Sequence, residues 1–164
     1  MKPNILPRYQ RRFKQWVKRT GARGLLVYRG PSTMPELIAK TEVIGAVSFY
    51  SSNLKVGDEY QTWHFRADSH PVEARRYGQG DASICGEGKN ACAFKAKPGQ
   101  KVGPCYPTGR TLSGIWGSIG RGNYPQVEEL AQEIGLPVSE TLAVVGSTPA
   151  GVRLGAYGDS VAMP

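Results

Sequence analysis

Three short apolar runs occupy the first 66 residues of this chain, and turn signals separate them. Gly24-Leu25-Leu26-Val27-Tyr28-Arg29 stops at Gly30-Pro31-Ser32, and Glu42 to Phe49 stops at the polar Ser51-Ser52-Asn53. Tyr60-Gln61-Thr62-Trp63-His64-Phe65-Arg66 alternates large and polar side chains up to Asp68. Short runs of this kind, bounded by Gly, Pro, Ser and Asn, predict strands. Helical spacing follows. Asp68-Ser69-His70-Pro71 predicts the start of a short helix over about 71–77, capped by Asp68 or Ser69, with Glu73 in its first turn. Leu112, Ile115, Trp116 and Ile119 predict a helix over 111–119. Val127, Leu130, Ala131 and Ile134 predict another over 126–134, stopped by Gly135 and Pro137. Leu142-Ala143-Val144-Val145 reads either as a strand or as the end of a short helix, and Val152 to Tyr157 reads as a last strand. Strands first, then strands alternating with helices, predict an α/β domain with a mixed sheet, either open or an incomplete barrel.

At 164 residues the chain has the length of one domain with a real core. It contains no run of about 18 apolar residues, which excludes a helical membrane span. No charged-then-apolar leader opens it, so the expected location is cytoplasmic, without a membrane partner.

The net charge of +8 is unevenly placed. Residues 1–24 carry Lys2, Arg8, Arg11, Arg12, Lys14, Lys18, Arg19 and Arg23 and no acid, and the remaining 13 basic residues are matched by 13 acidic ones. Within this basic arm, Tyr9, Phe13, Trp16 and Val17 share one helical face. Pro7 suits a first helical turn and Gly21 a C-terminal stop. The arm is therefore expected to form a basic amphipathic helix, followed by a single α/β domain over 25–164. Two readings of it are open. The aromatic stripe packs on the domain, or the helix docks on an anionic surface. Arg8, Arg11, Arg12, Lys14, Lys18 and Arg19 are the candidate contacts to DNA or RNA phosphates.

All three cysteines fall in a Gly-, Lys- and Pro-rich stretch from Gly78 to Arg110, at Cys85-x6-Cys92-x12-Cys105. Lys89, Lys95, Lys97 and Lys101 crowd the same stretch, and nearby cations lower thiol pKa values. Long irregular segments are usually functional or disordered. An odd number of cysteines and no export signal argue against a disulfide framework. The spacing lacks the Cys-x2-Cys pairs of zinc knuckles and ribbons. Three thiolates could still hold an iron–sulfur cluster with one open iron, or a zinc completed by His64, His70 or water. The alternatives are three ordinary cysteines, or a nucleophile pair such as Cys105 with His64. The Gly117-x2-Gly120-x-Gly122 and Gly146-x4-Gly151 clusters lack the spacing or the Lys and Ser/Thr of phosphate-binding loops. Trp63 and Trp116 read as core.

Four segments together resemble a family of uncharacterised bacteriophage and prophage proteins. They are VYRGPS at 27–32, SSNLKVGDEYQTW at 51–63, SICG…PCYP at 83–107 and VRLGAYGDSVAMP at 152–164. The resemblance runs from about residue 25 onward and is carried by the set. Val56 stands where the family tends to have Thr, Glu87-Gly88 where a second Cys is usual, and Ser160 where it has Pro. Family members continue past the final strand, so the resemblance implies the N-terminal part of a longer protein. It implies no established activity.

The layout of strand, cysteine segment, helix and a strand ending in Gly-x-Tyr-Gly-Asp also resembles the opening of a radical S-adenosylmethionine barrel. That resemblance implies Cys85, Cys92 and Cys105 as ligands of an iron–sulfur cluster. It implies Tyr157, Gly158 and Asp159 as contacts of S-adenosylmethionine. Three functional expectations result: a metal or iron–sulfur module of a radical-type enzyme, a non-catalytic nucleic-acid-associated protein, or an inactive truncated relic.

Overall fold

The computed structural model describes residues 6–33, 41–50, 58–76 and 109–157. Helix α1 spans Leu6–Thr20 and leads into strand β1 (Gly24–Pro31). Strands β2 (Glu42–Ser48) and β3 (Tyr60–Arg66) follow, then helix α2 (Pro71–Arg76). Helices α3 (Gly109–Gly120), α4 (Val127–Ile134) and α5 (Val138–Gly146) precede strand β4 (Val152–Tyr157). The four strands make one open sheet in the order β1-β2-β3-β4. The β1–β2 and β2–β3 pairs are antiparallel, and β3–β4 is parallel. The expected α/β class and mixed sheet are found, and among the described residues the sheet is not closed into a barrel.

Strand registers assign the two faces of the sheet. Leu26 pairs with Ala46 and Ala46 with Trp63, while Ile44 pairs with Phe65. Directly paired residues share a face, and these side chains pack with Leu112 of α3 and with Tyr124. The neighbouring register, Leu25 with Val47, points to the opposite face. There Leu25, Val47 and Phe49 join Phe13 and Trp16 of α1, Val127, Leu130 and Ile134 of α4, and Val144 and Val145 of α5. The sheet is thus sandwiched, with α3 on one side and α1, α4 and α5 on the other. The aromatic stripe of α1 is a core element: Phe13 is 1 % exposed, and its ring meets Phe49 edge-on at 5.2 Å.

Local chemistry explains the boundaries. Gly21 adopts φ +68°, its N–H reaches the Val17 carbonyl at 2.9 Å, and the Thr20 hydroxyl donates to the Trp16 carbonyl at 2.8 Å. This left-handed cap ends α1 where the sequence predicts a stop. Gln126 opens α4 with its N–H donating to Glu129 Oε1 at 3.0 Å, and Gly135 closes it at φ +72°. The chain before α4 also lines the outer edge of β1, where Leu26 N–H donates to the Pro125 carbonyl at 2.9 Å.

One local expectation is corrected and an open one is resolved. The cap of α2 is neither Asp68 nor Ser69. His70 Nδ1 accepts from the Val72 N–H at 3.3 Å. Asp68 instead receives Arg66 through Nε at 2.9 Å and Nη2 at 2.7 Å, a bidentate pair that holds its carboxyl below the usual range. The ambiguous Leu142–Val145 run is helical, because Thr141, Val144 and Val145 form one buried face at i, i+3 and i+4. A four-residue window is too short to display that period.

Candidate nucleic-acid interface

Helix α1 presents four different sides. Its apolar side is buried in the core. Its two polar flanks, one on each side of the apolar stripe, are tied to helix ends: Arg12 and Arg19 to the C-terminal end of α4, and Gln10 to that of α5. Arg12 Nη1 donates to the Ile134 carbonyl at 2.8 Å, and Nη2 donates to the Glu133 carbonyl at 3.2 Å. Gln10 Nε2 donates to the Ser147 carbonyl at 2.8 Å. Arg19 Nη2 pairs with Glu133 Oε1 at 2.8 Å, with both side chains about half exposed (62 % and 49 %). These contacts place cations at helix C-termini, where unsatisfied carbonyls and the negative end of the dipole favour them. A shallow cleft of about 240 Å³ lies along the Arg12 flank, lined by Arg12, Gln15, Arg19 and Glu133 over Trp16.

The fourth side faces solvent. Arg8, Arg11, Lys14 and Lys18 are exposed on it, and none makes a hydrogen bond or ion pair among the described residues. Their spacing of three, three and four residues forms one row along the helix. At 1.5 Å per residue the row is about 15 Å long from Arg8 to Lys18. Of the six candidate phosphate contacts, therefore, four form a continuous outward row. Arg12 and Arg19 sit on one flank as anchors to α4. The sequence reading missed this division, and nothing local could have signalled it.

The metal candidates are distributed differently. Cys85, Cys92 and Cys105 lie outside the described residues, as do Gly158 and Asp159. Tyr157 ends β4 and is paired in register with Trp63. His64 is 1 % exposed on β3 opposite Gly45, and His70 serves as the cap of α2, with its ring 6.3 Å from that of Trp116. Among the described residues no group of three or more His, Cys, Asp or Glu side chains could hold a metal ion. Among the described residues only the β3–β4 step has the parallel pairing of a barrel opening, since β1, β2 and β3 are antiparallel.

Two phenols, Tyr60 half-buried and Tyr124 buried, complete the electrostatics around the sheet. Burial pushes Tyr60 up to about 12, with Tyr50 adding to the effect. Burial also raises Tyr124, whose hydroxyl lies 2.6 Å from Ser48 Oγ. Among the described residues no helix is long and apolar enough to cross a membrane. No family model, curated protein or solved structure matches the chain.

Proposed function

We propose that this protein associates with nucleic acid through the outer face of α1, without catalysis at that face. The observation that carries the reading is the row of Arg8, Arg11, Lys14 and Lys18 on a helix whose opposite side is locked into the core. Four cations in one row, unpaired among the described residues, lower the potential energy of any closely spaced set of phosphates. An in-plane membrane helix needs an apolar face to insert. In α1 that face holds Phe13 and Trp16, which are 1 % and 6 % exposed. The surface left to a partner is therefore charge alone, which favours a polyanion.

The test compares the protein with the variant Arg11→Gln/Lys14→Gln, after circular dichroism confirms that both fold. Binding to labelled DNA and RNA is titrated at several salt concentrations, with anionic lipid vesicles as a separate arm. The expected result is a loss of affinity of about tenfold or more in the variant and a shallower salt dependence. Equal affinities for the two proteins, or binding to vesicles alone, overturn the proposal.

A second reading rests on a different observation. β3 and β4 are parallel neighbours, and the chain that crosses between them carries all three cysteines. Parallel α/β sheets place ligands beyond the carboxyl ends of such strands. Under this reading Cys85, Cys92 and Cys105 hold a zinc ion or an iron–sulfur cluster. A cluster would supply one-electron chemistry to S-adenosylmethionine held near Tyr157, Gly158 and Asp159. Oxygen-free purification followed by iron, sulfide and zinc measurement tests it. Stoichiometric metal supports the site, whereas no metal and three freely titrating thiols remove it.

A further inference from the structure

Resting on the reading that α1 is the contact, we infer that its partner is a double helix held by its phosphates, with no bases read. Rigidity is the first argument. The row from Arg8 to Lys18 sits on a helix fixed along its length, by Phe13 and Trp16 in the core, by Gln10 on one flank and by Arg12 and Arg19 on the other. A preset row of charges about 15 Å long suits a partner whose own charges are preset, as they are along a duplex.

The second argument is the placement of the aromatic rings. Single strands are held by bases stacking on exposed aromatic side chains, which makes a ring on the contact face the main requirement. Tyr9, Phe13 and Trp16 of α1 all pack with the core cluster, so the cationic row carries no stacking platform.

The third argument is access. The major groove is about 12 Å wide and a helix with side chains is 10–12 Å across, so a helix that reads bases needs clear flanks as well as a clear outer face. Both flanks of α1 are covered, Gln10 on one side by Ser147 and Arg12 and Arg19 on the other by Ile134 and Glu133. The helix is a ridge on the domain surface, able to lie across phosphates but too broad at its base to reach base edges.

Neutralising four duplex phosphates gives a slope of about −3.6 in log affinity against log salt. That is a loss of about 150-fold between 50 and 200 mM. The experiment uses fluorescence anisotropy on the full chain. The probes are two DNA duplexes of equal length and unrelated sequence, one of their single strands, and an RNA duplex to show which duplex is preferred. The two DNA duplexes are expected to bind within about twofold of each other, and the single strand about tenfold or more weaker, with a duplex slope between about −3 and −4. A single strand that binds as tightly as the duplexes overturns the inference. So does discrimination of more than about tenfold between the two sequences. The variant Arg11→Gln/Lys14→Gln separates the two levels of failure. If it loses affinity while the single strand wins, only the duplex inference falls. If it binds every probe like the parent, the role of α1 itself falls.

Discussion

The Arg12 guanidinium donates to the Ile134 carbonyl oxygen at 2.8 Å, so a side chain from α1 closes the C-terminal end of α4. One cation of the basic helix thereby becomes a structural clasp, and its neighbours on the outer face are left to the solvent. The division between clasp and row sets different consequences for substitutions at adjacent positions.

Arg12→Gln is expected to destabilise the protein by about 1 kcal/mol, through loss of charge-assisted hydrogen bonds to a helix terminus. Arg11→Gln, one residue away on the outer face, is expected to stay within about 0.5 kcal/mol of the parent. Urea denaturation of the two variants checks the contrast. Equal midpoints would contradict the assignment of Arg12 as an anchor.

Glu133→Gln is expected to release Arg19 for a phosphate. The salt slope for duplex binding should steepen by about 0.9, the contribution of one added contact. Stability should change by less than about 1 kcal/mol, since the Arg19–Glu133 pair is half exposed. Salt titrations of the variant and the parent measure the first effect and thermal melts the second. An unchanged slope would show that Arg19 takes no part even when unpaired.

Gly21→Ala is expected to cost about 1–2 kcal/mol. At φ +68° a Cβ is strained, although nothing lies within 4 Å of where it would sit. The cost is therefore conformational. Gly24→Ala should cost more, because its Cβ would collide with the Tyr124 ring and the Val47 carbonyl. Chemical denaturation of the two variants ranks them, and the reverse order would contradict the packing of Tyr124 over β1.

Alkaline conditions should weaken the fold through Tyr60. Its phenol ionises near 10 in an exposed chain and is pushed up to about 12 by burial, so the unfolded state loses its proton first. The stabilisation is whole below pH 10 and declines as pH rises from 10 towards 12. Melting temperatures across that window are expected to fall more steeply in the parent than in Tyr60→Phe. Parallel curves would assign the alkaline transition to other groups.

Most of the secondary structure was legible in the sequence, because strands and helices announce themselves by local periodicity and by the turn residues around them. Strands β1 to β4, α3, α4 and the amphipathic face of α1 all fall within a few residues of the sequence expectation. The capping of α2 by His70 was not, since Asp68 and Ser69 are the better capping residue types. The bidentate pair with Arg66, two residues earlier, takes that carboxylate away, a competition that residue type alone does not reveal. Leu142–Val145 was ambiguous for a related reason: its period becomes visible only with the buried Thr141 one turn earlier.

By itself, the sequence determined that this protein carries all its net charge on its first 24 residues, with six of those eight basic residues on one amphipathic helix, ahead of an otherwise neutral α/β chain. A local pattern of charges and rings needs no distant partner to be read. Only the tertiary structure decided what each charge is for. Arg12 and Gln10 meet partners 121 to 137 positions away, the carbonyls of Glu133, Ile134 and Ser147. Helix C-termini recruit whichever donors the fold brings to them. Packing Phe13 and Trp16 against α4 and α5 brings the two flanks of α1 to those carbonyls, and leaves Arg8, Arg11, Lys14 and Lys18 as the face that meets the solvent.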